Sequence, residues 1–111
     1  MPKSKKQLGG ENKMEMISTA AILPSRDVDF VLECNGAEHV YVCGDFNYWH
    51  PASLRMIGSP EAGLWEKRLA LLPGRYEYKF IVDGRWRHDP DANENVRNKY
   101  GTLNSVVEVR P

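Results

Sequence analysis

The sequence predicts an all-β fold, an antiparallel β-sandwich behind a flexible N-terminal tail. Three observations predict it. From Asp27 onward, apolar and polar residues alternate with a period of two over several short runs. The turn dipeptides Asn35-Gly36, Pro73-Gly74 and Asp83-Gly84 punctuate those runs. No segment beyond residue 25 carries a sustained helical period, and short strands at this spacing belong to sandwiches. With 111 residues, the chain can build one modest core but not two. The expected division is therefore a tail over residues 1–25 and one domain over residues 26–111.

In chain order, Met1 to Lys13 is rich in Lys, Ser, Gly, Glu and Asn, which predicts a disordered tail. Met14, Ile17, Ala20 and Ala21 recur at roughly helical spacing before Pro24, so this stretch reads as a short helix or a strap. Phe30, Leu32 and Cys34 alternate with Val31 and Glu33, and Val40 to Cys43 forms a return strand. The turn signal between them, Asn35-Gly36, predicts a hairpin. Asp45 to about Ala62 is expected to be a polar loop. Trp65, Lys67, Leu69 and Leu71 mark the next strand, and Tyr76, Tyr78, Phe80 and Val82 the one after the Pro73-Gly74 turn. Asp83-Gly84 returns the chain tightly through Arg85, Trp86 and Arg87. Asp89 to Gly101 reads as a long polar loop, and Ser105 to Val109 as the last strand.

The predicted core is Phe30, Leu32, Val40, Val42, Trp65, Leu69, Leu71, Tyr76, Tyr78, Phe80, Val82, Val107 and Val109. Register is best specified around Tyr78, where a one-residue slip would expose four large groups. Cys34 and Cys43, placed on the two arms of the expected hairpin, lie too far apart to bridge, given a strand rise of roughly 3.3 Å per residue. Both are expected to be free thiols.

Composition excludes several function classes. Lys plus Arg number 15 and Asp plus Glu number 15, a formal net charge of zero. Binding nucleic acid rests on a basic excess, so none is expected as a partner. No run reaches the roughly 18 apolar residues of a membrane span, and the Lys-rich N-terminus lacks an apolar signal core. A cytoplasmic location and no membrane partner are the resulting expectations. Asp83, Asp89 and Asp91 sit beside Gly or Pro, where turn duty accounts for them, and Glu94 has no visible partner. Without a pair of carboxylates across a cleft, no glycosidase chemistry and no catalytic residue is expected. His39, His50 and His88 are scattered, so no metal site is expected. No nucleotide or cofactor motif occurs, and no cofactor is expected.

The tryptophans are the informative residues. Trp65 falls on the core parity of its strand. Trp49 lies in the loop Asp45-Phe46-Asn47-Tyr48-Trp49-His50-Pro51, and Trp86 sits between two arginines just after a tight turn. Two indoles in such polar settings predict deliberate presentation to a ligand or partner. A pyranose ring offers a face of C–H bonds that packs on an indole while its hydroxyls reach polar groups. Each stack is expected to add about 0.5–1.5 kcal/mol beyond burial, by analogy with aromatic pairs. Lys79 points away from the core by parity, and Thr102 and Asn104 share one parity, so all three can serve that polar edge.

These residues come in three blocks, Val40 to Trp49, Gly74 to Pro90, and Tyr100 to Asn104. In that order they resemble the glycogen-binding domain of AMP-activated protein kinase β subunits, a family 48 carbohydrate-binding module. That family also includes the N-terminal domains of isoamylase and glycogen branching enzymes. The resemblance covers roughly Asp27 to Pro111 and implies an immunoglobulin-like, early-set β-sandwich. It also implies stacking tryptophans at Trp49 and Trp86, a sugar-contacting lysine at Lys79, and sugar contacts at Thr102 and Asn104. Tyr100 stands where the kinase domains carry a leucine; it either adds a third stacking surface or blocks the curved binding mode. The expected function is non-catalytic binding of an α-glucan, with a separate enzyme or kinase-type chain as a further partner. Two alternatives stay open: a protein-docking regulatory module, and an accessory module of a glycoside hydrolase.

Overall fold

The structure, a computed structural model, describes residues 24–111. The expected tail of residues 1–25, with its helix or strap, lies outside the described residues except for Pro24 and Ser25. Eight strands follow: β1 (Arg26–Glu33), β2 (Val40–Gly44), β3 (Ile57–Gly58), β4 (Leu64–Leu71), β5 (Gly74–Val82), β6 (Arg85–Arg87), β7 (Glu94–Arg97) and β8 (Leu103–Val109). They form two antiparallel sheets, one in the order β1-β4-β3, the other in the order β2-β5-β8-β7 with β6 also paired to β5. The result is the antiparallel β-sandwich that the alternation predicts, of the immunoglobulin-like kind that the resemblance implies.

The core lies between the sheets because each long strand turns one parity inward. Phe30 and Leu32 of β1 meet Val40 and Val42 of β2, Trp65 of β4, and Tyr78 and Phe80 of β5, all buried. Side chains of this size contribute roughly 1.5–3 kcal/mol each on full burial. An aromatic chain crosses the sandwich: the ring centroids of Phe46 and Phe30 lie 5.4 Å apart, Phe30 and Tyr78 4.9 Å, and Tyr78 and Phe80 5.9 Å. These tilted and edge-on pairs suit the ring quadrupoles. Leu69, Tyr76, Val82 and Val107 join this core only partly buried.

Three sequence expectations are corrected. β1 and β2 do not form a hairpin. β1 pairs with β4 and β2 with β5, so the Asn35-Gly36 turn carries the chain from one sheet to the other. The backbone amides of Cys34 and Gly36 donate to the carbonyls of Gly63 and Pro60, which fixes that crossing. The supposed loop 45–62 contains a 3₁₀ turn at Asp45–Asn47, the strand β3 and the buried Met56. The supposed loop 89–101 contains β7, and both carboxylate oxygens of its Glu94 accept from Arg75, each at 2.7 Å. That exposed bidentate pair holds the Glu94 carboxyl below its ordinary range.

The two cysteines are free, Cys34 half-buried and Cys43 buried. Burial pushes the Cys43 thiol up to about 11, which keeps it protonated. On the core side, the Tyr78 hydroxyl donates to a buried Asp89 carboxylate at 2.7 Å. Burial and that neighbouring charge both raise the phenol far above its ordinary value. The Asp89 amide in turn donates to Ser105 Oγ at 2.7 Å, tying the segment after β6 to β8.

Candidate functional site

The site occupies the outer face of the five-stranded sheet. Side chains opposite one another in an antiparallel ladder share a face, as do residues two apart along a strand. Trp86 is opposite Ile81, Lys79 is two residues before Ile81, and Cys43 is opposite Lys79. Glu77 is opposite Val106, and Asn104 is two residues before Val106. Register alone therefore places Trp86, Lys79 and Asn104 on one face, away from the core. The sequence placed Lys79 outside the core, but not how deep it lies.

Two loops present the indoles. The two-residue turn between β5 and β6 has φ +49° at Asp83 and +84° at Gly84, the pairing that matches the twist of a tight hairpin. The Asp83 carboxylate accepts from the amides of Glu38 and His39 at 3.0 and 2.8 Å, which anchors the turn to the β1–β2 crossing. Trp86 follows this turn and is 52% exposed. Trp49 follows the 3₁₀ turn and is half-buried. Its indole N–H donates to Asp45 Oδ1 at 2.9 Å, while Asp45 Oδ2 accepts from the Glu77 amide at 2.8 Å. Trp49 is thereby tied to β5. The two indoles meet with centroids 6.5 Å apart and planes 43° apart, a bent aromatic surface.

The polar half is a single network. Lys79 is only 7% exposed, and its ammonium donates to Thr102 Oγ1 at 3.1 Å. Among the described residues no carboxylate lies within ion-pair distance of it. Asn98 organises the rest. Its Nδ2 donates to Thr102 Oγ1 at 2.8 Å and to Asn104 Oδ1 at 2.9 Å, and its Oδ1 accepts from the amides of Tyr100 and Thr102. Thr102 Oγ1 thus accepts twice, which fills its lone pairs and leaves its own O–H to donate outward. Asn104 is buried, and its Nδ2 donates to Glu77 Oε1 at 2.9 Å, leaving one N–H and one carbonyl lone pair.

The structure brings Trp49 to Trp86, and Lys79 to Thr102 and Asn104, and it joins the two groups through β5. Tyr100 is not gathered in. It stands 78% exposed, with the Lys99 ammonium 5.3 Å from its ring centroid. Sequence reasoning missed Asn98 and Asp45, the residues that hold the others in place. An Asn a few residues ahead of Gly101 is the available signal for the first, since Asn side chains close turns on their own backbone. Among the described residues no group of three metal-ligating side chains occurs.

Tyr48 was also missed. It is 94% exposed at φ +56°, next to Trp49 at φ +60°. Left-handed backbone costs a residue with a side chain roughly 1–2 kcal/mol, least for Asn. Replacing Tyr48 by Asn removes no packing, so the variant is expected to be more stable by about 0.5–1 kcal/mol. A higher urea midpoint at unchanged slope checks this; a lower midpoint would show that the ring is held.

A family profile described as the glycogen recognition site of AMP-activated protein kinase matches residues 28–111. The chain is 35% identical over 75 residues to the 5'-AMP-activated protein kinase subunit beta-1 of Sus scrofa, an alignment covering 68% of this chain and 57% of that one. It is 44% identical over 61 residues to the chloroplastic protein FLOURY ENDOSPERM 6 of Oryza sativa subsp. japonica, covering 55% and 11%. The chain thus spans little more than half of the first relative and about a tenth of the second. Among solved structures, the maltogenic amylase from S. marinus matches with a TM-score of 0.62 at 24% identity, over 77% of this chain and 14% of that one. That likeness shows a shared fold. With its two-sheet architecture and a match over nearly all of the described residues, this chain belongs to the carbohydrate-binding family of the AMP-activated protein kinase glycogen recognition site.

Proposed function

We propose that this chain is a non-catalytic module that binds α-glucans such as glycogen, starch or maltooligosaccharides. The observation that carries this reading is the bent indole pair of Trp49 and Trp86, lying beside a buried ammonium with no carboxylate partner. Glucose C–H faces stack on the indoles. Lys79 and the Thr102 hydroxyl donate to sugar oxygens, and Asn104 completes the polar edge with its remaining N–H and lone pair. Tyr100 flanks the site from the Asn98–Thr102 turn. A buried cation without a counter-charge needs hydrogen-bond acceptors, and sugar hydroxyls supply them. The shallow face gives modest affinity, with Kd of roughly 10⁻³ to 10⁻⁶ M. The relatives named as kinase subunits support a partner chain that acts alongside this module.

The test is a fluorescence titration with maltoheptaose or β-cyclodextrin. Saturable quenching of the tryptophan emission is expected. Trp86→Ala should weaken binding by at least about tenfold, which corresponds to 1.4 kcal/mol, with an unchanged circular dichroism spectrum. A wild-type protein silent up to several millimolar sugar sinks the glucan reading and promotes the docking one.

A further inference from the structure

A row of side chains runs across the sheet beyond the tryptophan pair. Residues 54–56 add to the free edge of β2: the Val42 amide donates to the Leu54 carbonyl at 3.0 Å, and the Met56 amide to the Val40 carbonyl at 2.8 Å. Leu54 and Met56 pack against the core, so Arg55 between them faces outward. Arg55 is bridged to Tyr41, Tyr41 is opposite Ile81, and Ile81 is opposite Trp86. Tyr41 lies between the buried Val40 and Val42, which turns it outward too. Arg55, Tyr41, Ile81 and Trp86 therefore share one face and one row, about 15 Å long at a strand spacing of about 4.8 Å.

At the Arg55 end of this row lies a hollow of about 620 Å³ lined by Tyr41, Arg55, Glu38, His39 and Asp83 among others. Its wall is set in advance, because Asp83 is bound by the Glu38 and His39 amides and returns its own N–H to the His39 carbonyl at 2.8 Å. Arg55 is exposed and, among the described residues, has no ion-pair partner. Two carboxyl-bearing residues beside a guanidinium disfavour a free anion and suit a neutral polyol, which both accepts and donates.

The geometry points to a second sugar subsite at Tyr41 and Arg55, occupied by the continuation of the same glucan chain beyond Trp86. This rests on the α-glucan reading above. The Tyr41 ring gives the continuing chain an apolar face, and Arg55 donates to its hydroxyls. Short oligosaccharides are held by the tryptophan pair, and longer ones also fill the row, so the subsite reads chain length.

Calorimetric titration of the wild type, Arg55→Ala and Tyr41→Leu with maltotriose and with maltoheptaose tests it. The wild type should prefer maltoheptaose. Arg55→Ala should weaken maltoheptaose by about tenfold, the value of one charge-assisted hydrogen bond, and leave maltotriose unchanged. Tyr41→Leu keeps apolar bulk in the row and should also lower the ratio of the two affinities. If both variants bind and melt like the wild type with the wild-type ratio, the subsite is wrong while the glucan reading stands. If the wild type binds neither sugar, both fall together.

Discussion

Substituting Gly44 by alanine will lower stability by about 2–3 kcal/mol and displace Trp49, a cost set by overpacking. The backbone at Gly44 is extended, with φ −175°, so conformation alone would admit any residue. Space is what excludes them. A Cβ there would run into the Glu77 carbonyl oxygen and stand 2.8 Å from Tyr78 Cβ and 2.9 Å from Tyr78 Cα. Those atoms belong to β5, bonded on both edges, so the β2 end must move instead. Gly44 also donates its amide to Asn47 Oδ1 at 3.0 Å and accepts from the Trp49 amide at 2.9 Å. Any shift is therefore passed directly to the indole. For a domain of this size, 1 kcal/mol moves Tm by about 4–8 °C, so a drop of about 10 °C or more is expected. Maltoheptaose affinity should fall in the part that remains folded. A melt like the wild type's, with unaltered sugar binding, would show that β2 yields at no cost.

Truncating Trp65 will cost more, about 3–5 kcal/mol, the range for a large aromatic deleted from a core. Trp65 is 1% exposed and opposite Leu32, and its indole N–H donates to the Cys34 carbonyl at 3.2 Å. Its ring is packed so closely by β3 that a Cβ on Gly58 would lie 2.7 Å from Trp65 Cδ2. Against a total stability of about 5–15 kcal/mol, that loss removes from roughly a fifth to all of the margin, so Trp65→Ala should melt well below the wild type. Trp65→Phe separates the contributions, because it keeps a ring and loses the bond to Cys34; about half the loss is expected. Urea unfolding at unchanged slope measures both variants. Neither should alter the sugar affinity of the folded fraction, since Trp65 faces the interior from the other sheet.

Much of this architecture was legible because of parity. β1, β2, β4, β5 and β8 each present alternate residues to one core, and a one-residue slip would expose them all. The same parity turned Lys79 out of the core and put Thr102 and Asn104 on one side of the last segment; that Trp86 shares their face came only from the register of β5 with β6 and β8. Pairing was not legible. Asn35-Gly36 is a hairpin signal locally, but β4 offers β1 eight paired positions and β5 offers β2 five, so tertiary pairing overrides the turn. β3 and β7 escaped notice for a different reason. They are two and four residues long, mostly exposed, and exist through register with β4 and β8 rather than through their own composition. The burial of Lys79 was hidden as well, since it depends on Thr102, 23 residues away in sequence.

The position of β5 has a kinetic consequence. It pairs with β2, β6 and β8, and only β6 is its neighbour along the chain. β1 must likewise wait for β4, so loop closure has to be completed before most of the hydrogen-bonded ladder can form. Chains governed by such distant pairings fold in roughly milliseconds to seconds rather than microseconds. Trp86 can turn at its hairpin early, but Thr102 and Asn104 reach Lys79 only when β8 docks. The Trp86 end of this face should therefore form before its polar half, while Trp49, tied through Asp45 to the Glu77 amide 32 residues away, waits for β5.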